Sequence, residues 1–271
     1  MIGAMIGDVI GSVYEFDNIK TKDFPLISPR CNFTDDTLMT LAVASALLKT
    51  EGGADFKPVL IREMKRIAAQ HPCPMGGYGT RFYIWLRMGD PKPMNSYGNG
   101  SAMRVSPCAE LAGSLEEALR LAKESAEISH DHPEGIKGAQ AAAAAIWMAR
   151  SGSTMAEIRA YTQAHFYPLE RTVDQIRPTY QFADTCQNTV PPAIQCFLES
   201  TSFEDALRNA ISLGGDSDTL ADITCAIAWP YYARQGKDAV MRQLEEHAKS
   251  LLPDPLRQIM DVWEQRFGSG E

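Results

Sequence analysis

Helix punctuation recurs along almost the whole of this 271-residue chain, and comparable strand signals do not. Ser114-Leu-Glu-Glu117, Thr154-Met-Ala-Glu157 and Ser202-Phe-Glu-Asp205 each set a hydroxyl three residues ahead of a carboxylate. That pairing satisfies the free N–H groups of a first helical turn. From Thr34 to about Thr50, Leu38, Leu41, Ala42, Ser45 and Leu48 fall on related helical faces, and Phe56 to Gln70 alternates apolar and basic residues at helical spacing. Pro133 suits a first-turn position, the Ala-rich run behind it continues to Arg150, and Gly152 stands beyond its end. Further helices are expected near 188–199, 219–233, 238–251 and 255–267. Asn99-Gly100 is flanked by Ser96-Tyr97-Gly98 and Ser101-Ala102, small and polar rather than strand-like. The expectation is an all-α fold of roughly ten or more helices, forming one domain over residues 1–271.

Charge narrows the function classes. With 26 Lys+Arg against 34 Asp+Glu the net charge is −8, which argues against broad charge-driven binding to nucleic acid or anionic membrane. A local anion pocket stays compatible with it. The six cysteines contain no C-x-x-C pair, and the N-terminus lacks a basic region before an apolar run, so reduced thiols in a cytoplasmic protein are expected. Ala141 to Ala149, the most apolar later stretch, is far short of the roughly 20 residues that span a bilayer.

Two acidic clusters stand where helices should start: Thr34-Asp35-Asp36-Thr37 and Gly214-Gly215-Asp216-Ser217-Asp218-Thr219. Either alone reads as a helix cap, since Asp, Ser and Thr are the preferred residues there. Together they offer paired carboxylates and hydroxyls, the hard oxygen ligands of Mg²⁺, Mn²⁺ or Ca²⁺, and can converge on a two-metal site. The remaining polar features carry less. Gly7-Asp8-Val-Ile-Gly11-Ser-Val-Tyr-Glu15 ends in a lone carboxylate beyond an apolar helical turn. Ser96 to Arg104 is a small-residue loop able to present backbone N–H groups to an anion, or a plain turn. His130 and His132 precede a helix, a spacing that suits hydrogen-bonded loop residues better than metal ligands. Trp85, Trp147, Trp229 and Trp263 read as core.

The ordered set G-D-x-x-G-x-x-x-E, T-D-D-T, Y-G-N-G-x-A-M-R, S-H and G-G-D-S-D-T resembles the ADP-ribosylhydrolase family of the dinitrogenase reductase-activating glycohydrolase type, from Gly7 to about Pro230. The resemblance implies an all-α hydrolase with two Mg²⁺ or Mn²⁺ ions that cleaves the glycosidic bond between ADP-ribose and its acceptor. It implies Thr34, Asp35, Asp36, Asp216, Asp218 and Thr219 as metal ligands, with Glu15 and Asp35 at the chemistry. Ser96, Tyr97, Asn99 and His130 match the part that holds ADP-ribose; His132 has no counterpart. The acceptor stays open between arginine, serine, a nucleic-acid base and a small ADP-riboside. A two-metal phosphohydrolase of nucleotide pyrophosphates and a non-catalytic ADP-ribose binder are the competing readings.

Overall fold

The computed structural model describes residues 1–267, and among them there are fifteen helices and no sheet. They are α1 (Ile2–Gly11), α2 (Asp35–Thr50), α3 (Phe56–Gln70), α4 (Thr80–Arg87), α5 (Gly100–Met103), α6 (Ser106–Leu111), α7 (Leu115–Glu127) and α8 (Pro133–Ser151). There follow α9 (Met155–His165), α10 (Val173–Ile176), α11 (Cys186–Leu198), α12 (Phe203–Ser212), α13 (Ser217–Ala233), α14 (Ala239–Ser250) and α15 (Asp254–Phe267). No helix among the described residues is long and apolar enough to cross a membrane. Two isolated bridges, Thr34 with Met75 and Gly98 with Thr185, pin loops together.

The caps expected from sequence form. Thr154 and Glu157 make a reciprocal capping box on α9, and Ser202 accepts the Asp205 N–H on α12. At α7, Ser114 accepts from the Glu117 N–H, but the Glu117 carboxylate takes the N–H of Gly113 instead of that of Ser114. Residues 100–103 form a helical turn rather than continuing as loop, because Ala102 and Met103 both donate to the Asn99 carbonyl. Helix α11 begins at Cys186, ahead of its expected start, where the Cys186 N–H donates to the Tyr97 carbonyl.

Helix α1 carries no polar face, no side-chain cap and no exposed residue. It lies against α13 along Gly3, Gly7 and Gly11, which are four apart and so share one helical face. A Cβ at Gly7 would stand 2.1 Å from the Ala221 carbonyl oxygen, and one at Gly3 would stand 2.2 Å from that of Cys225. The two backbones therefore touch, which sets Gly11 against Asp218 and brings the end of α1 to the start of α13. Ala ordinarily adds about 1 kcal/mol over Gly inside a helix. Here the methyl group meets backbone, and overpacking of that kind costs about 1–3 kcal/mol. Gly7→Ala should therefore lower the thermal midpoint rather than raise it, a sign that a melting curve reads directly.

The apolar residues of these helices form one buried cluster reaching from Met1 to Trp263. In α8 the run Ala141–Ala145 is buried, and its small side chains let α5, α7, α11 and α13 pack around one rod. All six cysteines are free, and only Cys73 is exposed.

Candidate active site

The starts of α2 and α13 meet at the end of α1. Asp8, fully buried on α1, is the fastening between α1 and α2. Its carboxylate accepts from the Thr34 N–H at 3.0 Å, the Thr34 hydroxyl at 2.8 Å, the Thr37 N–H at 3.1 Å and the Thr37 hydroxyl. The Thr34 hydroxyl in turn accepts from the Asp36 N–H at 3.1 Å, so it serves as the cap of α2. Burial raises the Asp8 pKa, and these four bonds oppose the rise.

The second acidic cluster is shaped by Gly214 and Gly215, whose φ values of 66° and 74° are left-handed, a conformation glycine adopts without strain. Asn18 clamps that turn from the α1–α2 loop, accepting from the Gly215 N–H at 2.7 Å and donating to the Gly215 carbonyl at 3.0 Å. Lys20 donates to the carbonyls of Leu213 and Tyr180. Asn99 Nδ2 then donates to Asp216 Oδ2 at 2.6 Å and to the Thr189 hydroxyl at 3.1 Å.

Oxygen atoms of Glu15, Asp216 and Asp218 lie within 4.8 Å of one another. With Asp35, Asp36 and Thr219 they line one side of a cavity of about 570 Å³. Crowding of acids shows in their proton affinities. Burial, then neighbouring carboxylates, raises Asp35, Asp36 and Asp218 well above the ordinary range. Burial, then Asp216 and Asp8, pushes half-buried Glu15 to about 7. Asp36 Oδ2 and Asp218 Oδ1 are buried without a hydrogen-bonding partner among the described residues. Buried carboxylate oxygens with no donor are what a divalent cation with hard-oxygen preference would satisfy. The residues present fit such an ion.

The other side of the cavity is the Ser96–Gly100 loop, with His130 behind it. The Gly98 N–H donates to Ser96 Oγ at 3.2 Å and the Asn99 N–H to the Asp184 carbonyl at 2.8 Å. Donors for an anion here are therefore the first N–H groups of α5, which have no partner within their helix. Tyr97 is exposed beside His132, whose Nδ1 accepts from the Glu134 N–H as the cap of α8. His130 is different. Its Nδ1 is 2.8 Å from Ser129 Oγ, which accepts from Arg104 Nη2 at 2.9 Å. Arg104 is buried and can only donate. In the tautomer where Ser129 gives its proton to His130 Nδ1, the ring N–H is at Nε2, on the side facing Gly98 and Gly100. Burial first, then Arg104 and Arg81, holds the His130 pKa well below its usual value, so the ring is a neutral donor.

Of the residues singled out in the sequence, ten line this one cavity: Glu15, Asp35, Asp36, Ser96, Tyr97, Asn99, His130, Asp216, Asp218 and Thr219. Thr34 does not; its hydroxyl is turned to Asp8 and Asp36. Sequence reasoning gave no role to Asp8, Asn18, Lys20 or Ser129, and left Arg104 unassigned. Asp222, one turn beyond Asp218, is also fully buried, and neither of its oxygens has a partner among the described residues.

The sequence model described as ADP-ribosylglycohydrolase matches residues 1–255. The chain belongs to the ADP-ribosylglycohydrolase family. Within the family, the ADP-ribosylhydrolase ARH3 of Mus musculus is 25% identical over 313 aligned residues, covering 87% of this chain and 83% of that protein. The ADP-ribosylhydrolase ARH3 of Homo sapiens is 26% identical, covering 86% and 84%. The ADP-ribosylarginine hydrolase Tri1 of Pseudomonas putida (strain GB-1) is 26% identical, covering 87% and 70%. A solved structure described as an ADP-ribosylglycohydrolase-related protein complex superimposes with a TM-score of 0.68 at 22% identity, over 95% of this chain and 96% of that one. That likeness shows the ADP-ribosylglycohydrolase fold.

Proposed function

We propose that this ADP-ribosylglycohydrolase family member hydrolyses the glycosidic bond between ADP-ribose and an acceptor, releasing free ADP-ribose and reversing ADP-ribosylation. The observation that carries the reading is one cavity with crowded carboxylates on one side and a neutral histidine donor beside a glycine loop on the other. Its size falls within the roughly 300–1,000 Å³ usual for small-molecule sites. Family membership and the named activities of ARH3 and Tri1 support the same reaction class. Six free thiols suit a cytoplasmic location.

Asp35, Asp36, Asp216, Asp218 and Thr219 are the residues proposed to hold two Mg²⁺ or Mn²⁺ ions, and Thr34, outside the cavity lining, would join them only through the remaining lone pair of a hydroxyl already bonded to Asp8 and the Asp36 N–H. Ions bound there supply Lewis acidity and offset the crowded negative charge. The protein's own groups do the rest. Asn99 fixes Asp216, and Asp8 fixes the start of α2, so the acids are held before substrate arrives. Ser96, Tyr97 and His130 face the diphosphate of ADP-ribose, with His130 Nε2–H donating to a phosphate oxygen. As the bond from the anomeric carbon to the acceptor breaks and water adds, a proton must pass from that water to the acceptor. Glu15, at the cavity wall beside Asp216 and Asp218, is placed to carry it. His130→Ala should weaken ADP-ribose binding about tenfold, the loss of a hydrogen bond to a charged group, as titration calorimetry would read.

The deciding experiment is mass-resolved product analysis on a panel of ADP-ribosylated acceptors, with Mg²⁺ and with chelator. Metal-dependent ADP-ribose from one acceptor is the expected result and names the linkage. AMP in its place would establish a phosphohydrolase. Bound but uncleaved ADP-ribose would leave a non-catalytic binder.

A further inference from the structure

One buried charge is left without a use by the reaction described above. Arg104 follows α5 directly, lines the catalytic cavity on the side of the glycine loop, and is 1% exposed. Among the described residues no carboxylate pairs with it. Its Nη2 donates only to neutral oxygens, the Ser125 carbonyl at 2.7 Å and the Ser129 hydroxyl at 2.9 Å, and its Nε is buried with no acceptor. Burial pushes its pKa down to about 10, with only the thiols of Cys108 and Cys186 acting the other way, so it stays a cation at neutral pH. A buried guanidinium without a counter-ion is costly, and nothing in the packing of α5 to α8 demands a charge there.

Its influence reaches the cavity through Ser129. That hydroxyl is fully buried and has two neighbours, Arg104 Nη2 and His130 Nδ1. Arg104 can only donate, so it takes a lone pair of Ser129 Oγ and offers nothing to its proton. The sole acceptor in reach of that proton among the described residues is His130 Nδ1, at 2.8 Å. The opposite tautomer, with the ring donating from Nδ1, would leave the buried hydroxyl between two donors and its proton unpaired. Nε2 lies under the loop, where a Cβ at Gly100 would stand 3.3 Å from it and one at Gly98 3.5 Å. Two residues without side chains thus leave this nitrogen uncovered.

We propose that Arg104 is a positioning residue for the diphosphate: through Ser129 it fixes His130 as the Nε2–H donor, and its unpaired charge is balanced when the dianion arrives. The inference rests on the reading that ADP-ribose occupies this cavity. A guanidinium already neutralised by a carboxylate would repel nothing and attract nothing; an unpaired one in a dry wall acts on an anion through little screening.

Long-range proton–nitrogen spectra of the histidine rings, together with calorimetric titration of ADP-ribose, test this on the full chain. There are five histidines to separate, and His130→Ala identifies the signals that matter. The parent ring should be neutral and protonated at Nε2. Arg104→Met removes the charge and frees the Ser125 carbonyl to take the Ser129 proton. It should populate the Nδ1–H form and weaken ADP-ribose about tenfold or more. Both Arg104 bonds leave one nitrogen, so the ammonium of Arg104→Lys can supply them and should hold tautomer and affinity within about threefold. Should the methionine chain fail to fold, Ser129→Ala cuts the same link. It should cost about fivefold in affinity with His130 present and less than about twofold on top of His130→Ala. A parent ring protonated at Nδ1, an Arg104→Met chain with tautomer and affinity unchanged, or equal Ser129→Ala losses in both backgrounds would each overturn the inference and leave the functional reading intact. A parent that binds no ADP-ribose would overturn both.

Discussion

Glu15→Gln is expected to lower the rate of ADP-ribose release about 10²–10³-fold while changing ADP-ribose affinity by less than about threefold. The amide keeps the size of the side chain and its place at the cavity wall but cannot exchange a proton. Glu15 sits on the irregular segment between α1 and α2 and faces Gly76, where an added Cβ would come within 2.8 Å of Glu15 Oε2. That glycine has φ 74° and leaves room for the carboxylate. Without a bound cation, burial and then Asp216 and Asp8 push the Glu15 pKa up to about 7, above the range of an exposed glutamate. Steady-state release and calorimetric binding, measured on the same preparation, separate the roles. Equal losses in turnover and affinity would assign Glu15 to closing the cavity rather than to proton transfer.

The second large effect is on stability. In chelator, the protein should become less stable as pH rises from about 5 to about 8, and Mg²⁺ or Mn²⁺ should reverse most of that loss. Asp35, Asp36, Asp218, Asp222 and Glu15 all bind protons more tightly folded than unfolded, with burial the largest cause in each. Between the unfolded and folded pKa values the native state carries the extra protons, so stability is greatest below the unfolded value and falls as pH climbs. For Glu15 that window runs from 4.5 to about 7. A divalent ion competes with those protons, and its benefit therefore grows with pH. At a hundred times its dissociation constant it adds about 2.7 kcal/mol, roughly 5–10 °C in a chain of this size. Melting curves at several pH values, with and without metal, check both signs. A midpoint indifferent to metal at about pH 8 would remove the carboxylate cluster as a cation site.

The sequence made some of this legible and hid the rest for physical reasons. A cap is a local event: Thr154 finds Glu157 three residues on, and the pattern can be read without knowing the fold. The acid pairs after Thr34 and Gly215 were likewise visible as composition. What brings them together was not. Helix α1 is buried on every side, so it has no polar face to give it a period and no cap to mark its start. Asn18 acts on Gly215 across 197 residues, and Asn99 on Asp216 across 117. Such partners have no signature in spacing. Ser129 reads as an ordinary loop serine until Arg104 is seen to donate to it and its hydroxyl to meet His130 Nδ1.

The glycine seam between α1 and α13 also has a bearing on how the protein is made. Its two halves lie 206 residues apart where Ser217 meets Gly11. At roughly 5–20 residues per second of synthesis, α1 waits some 10–40 seconds for the helix that covers it. Throughout that interval a helix with Asp8 as its one charged residue lacks the mate that covers its glycine face, and neither acid cluster has its final neighbours. Such distant pairing makes for slow folding and a nascent chain prone to stick to its own kind. Yield from rapid overexpression should therefore depend on chaperone supply and temperature more than the stability of the finished fold would suggest.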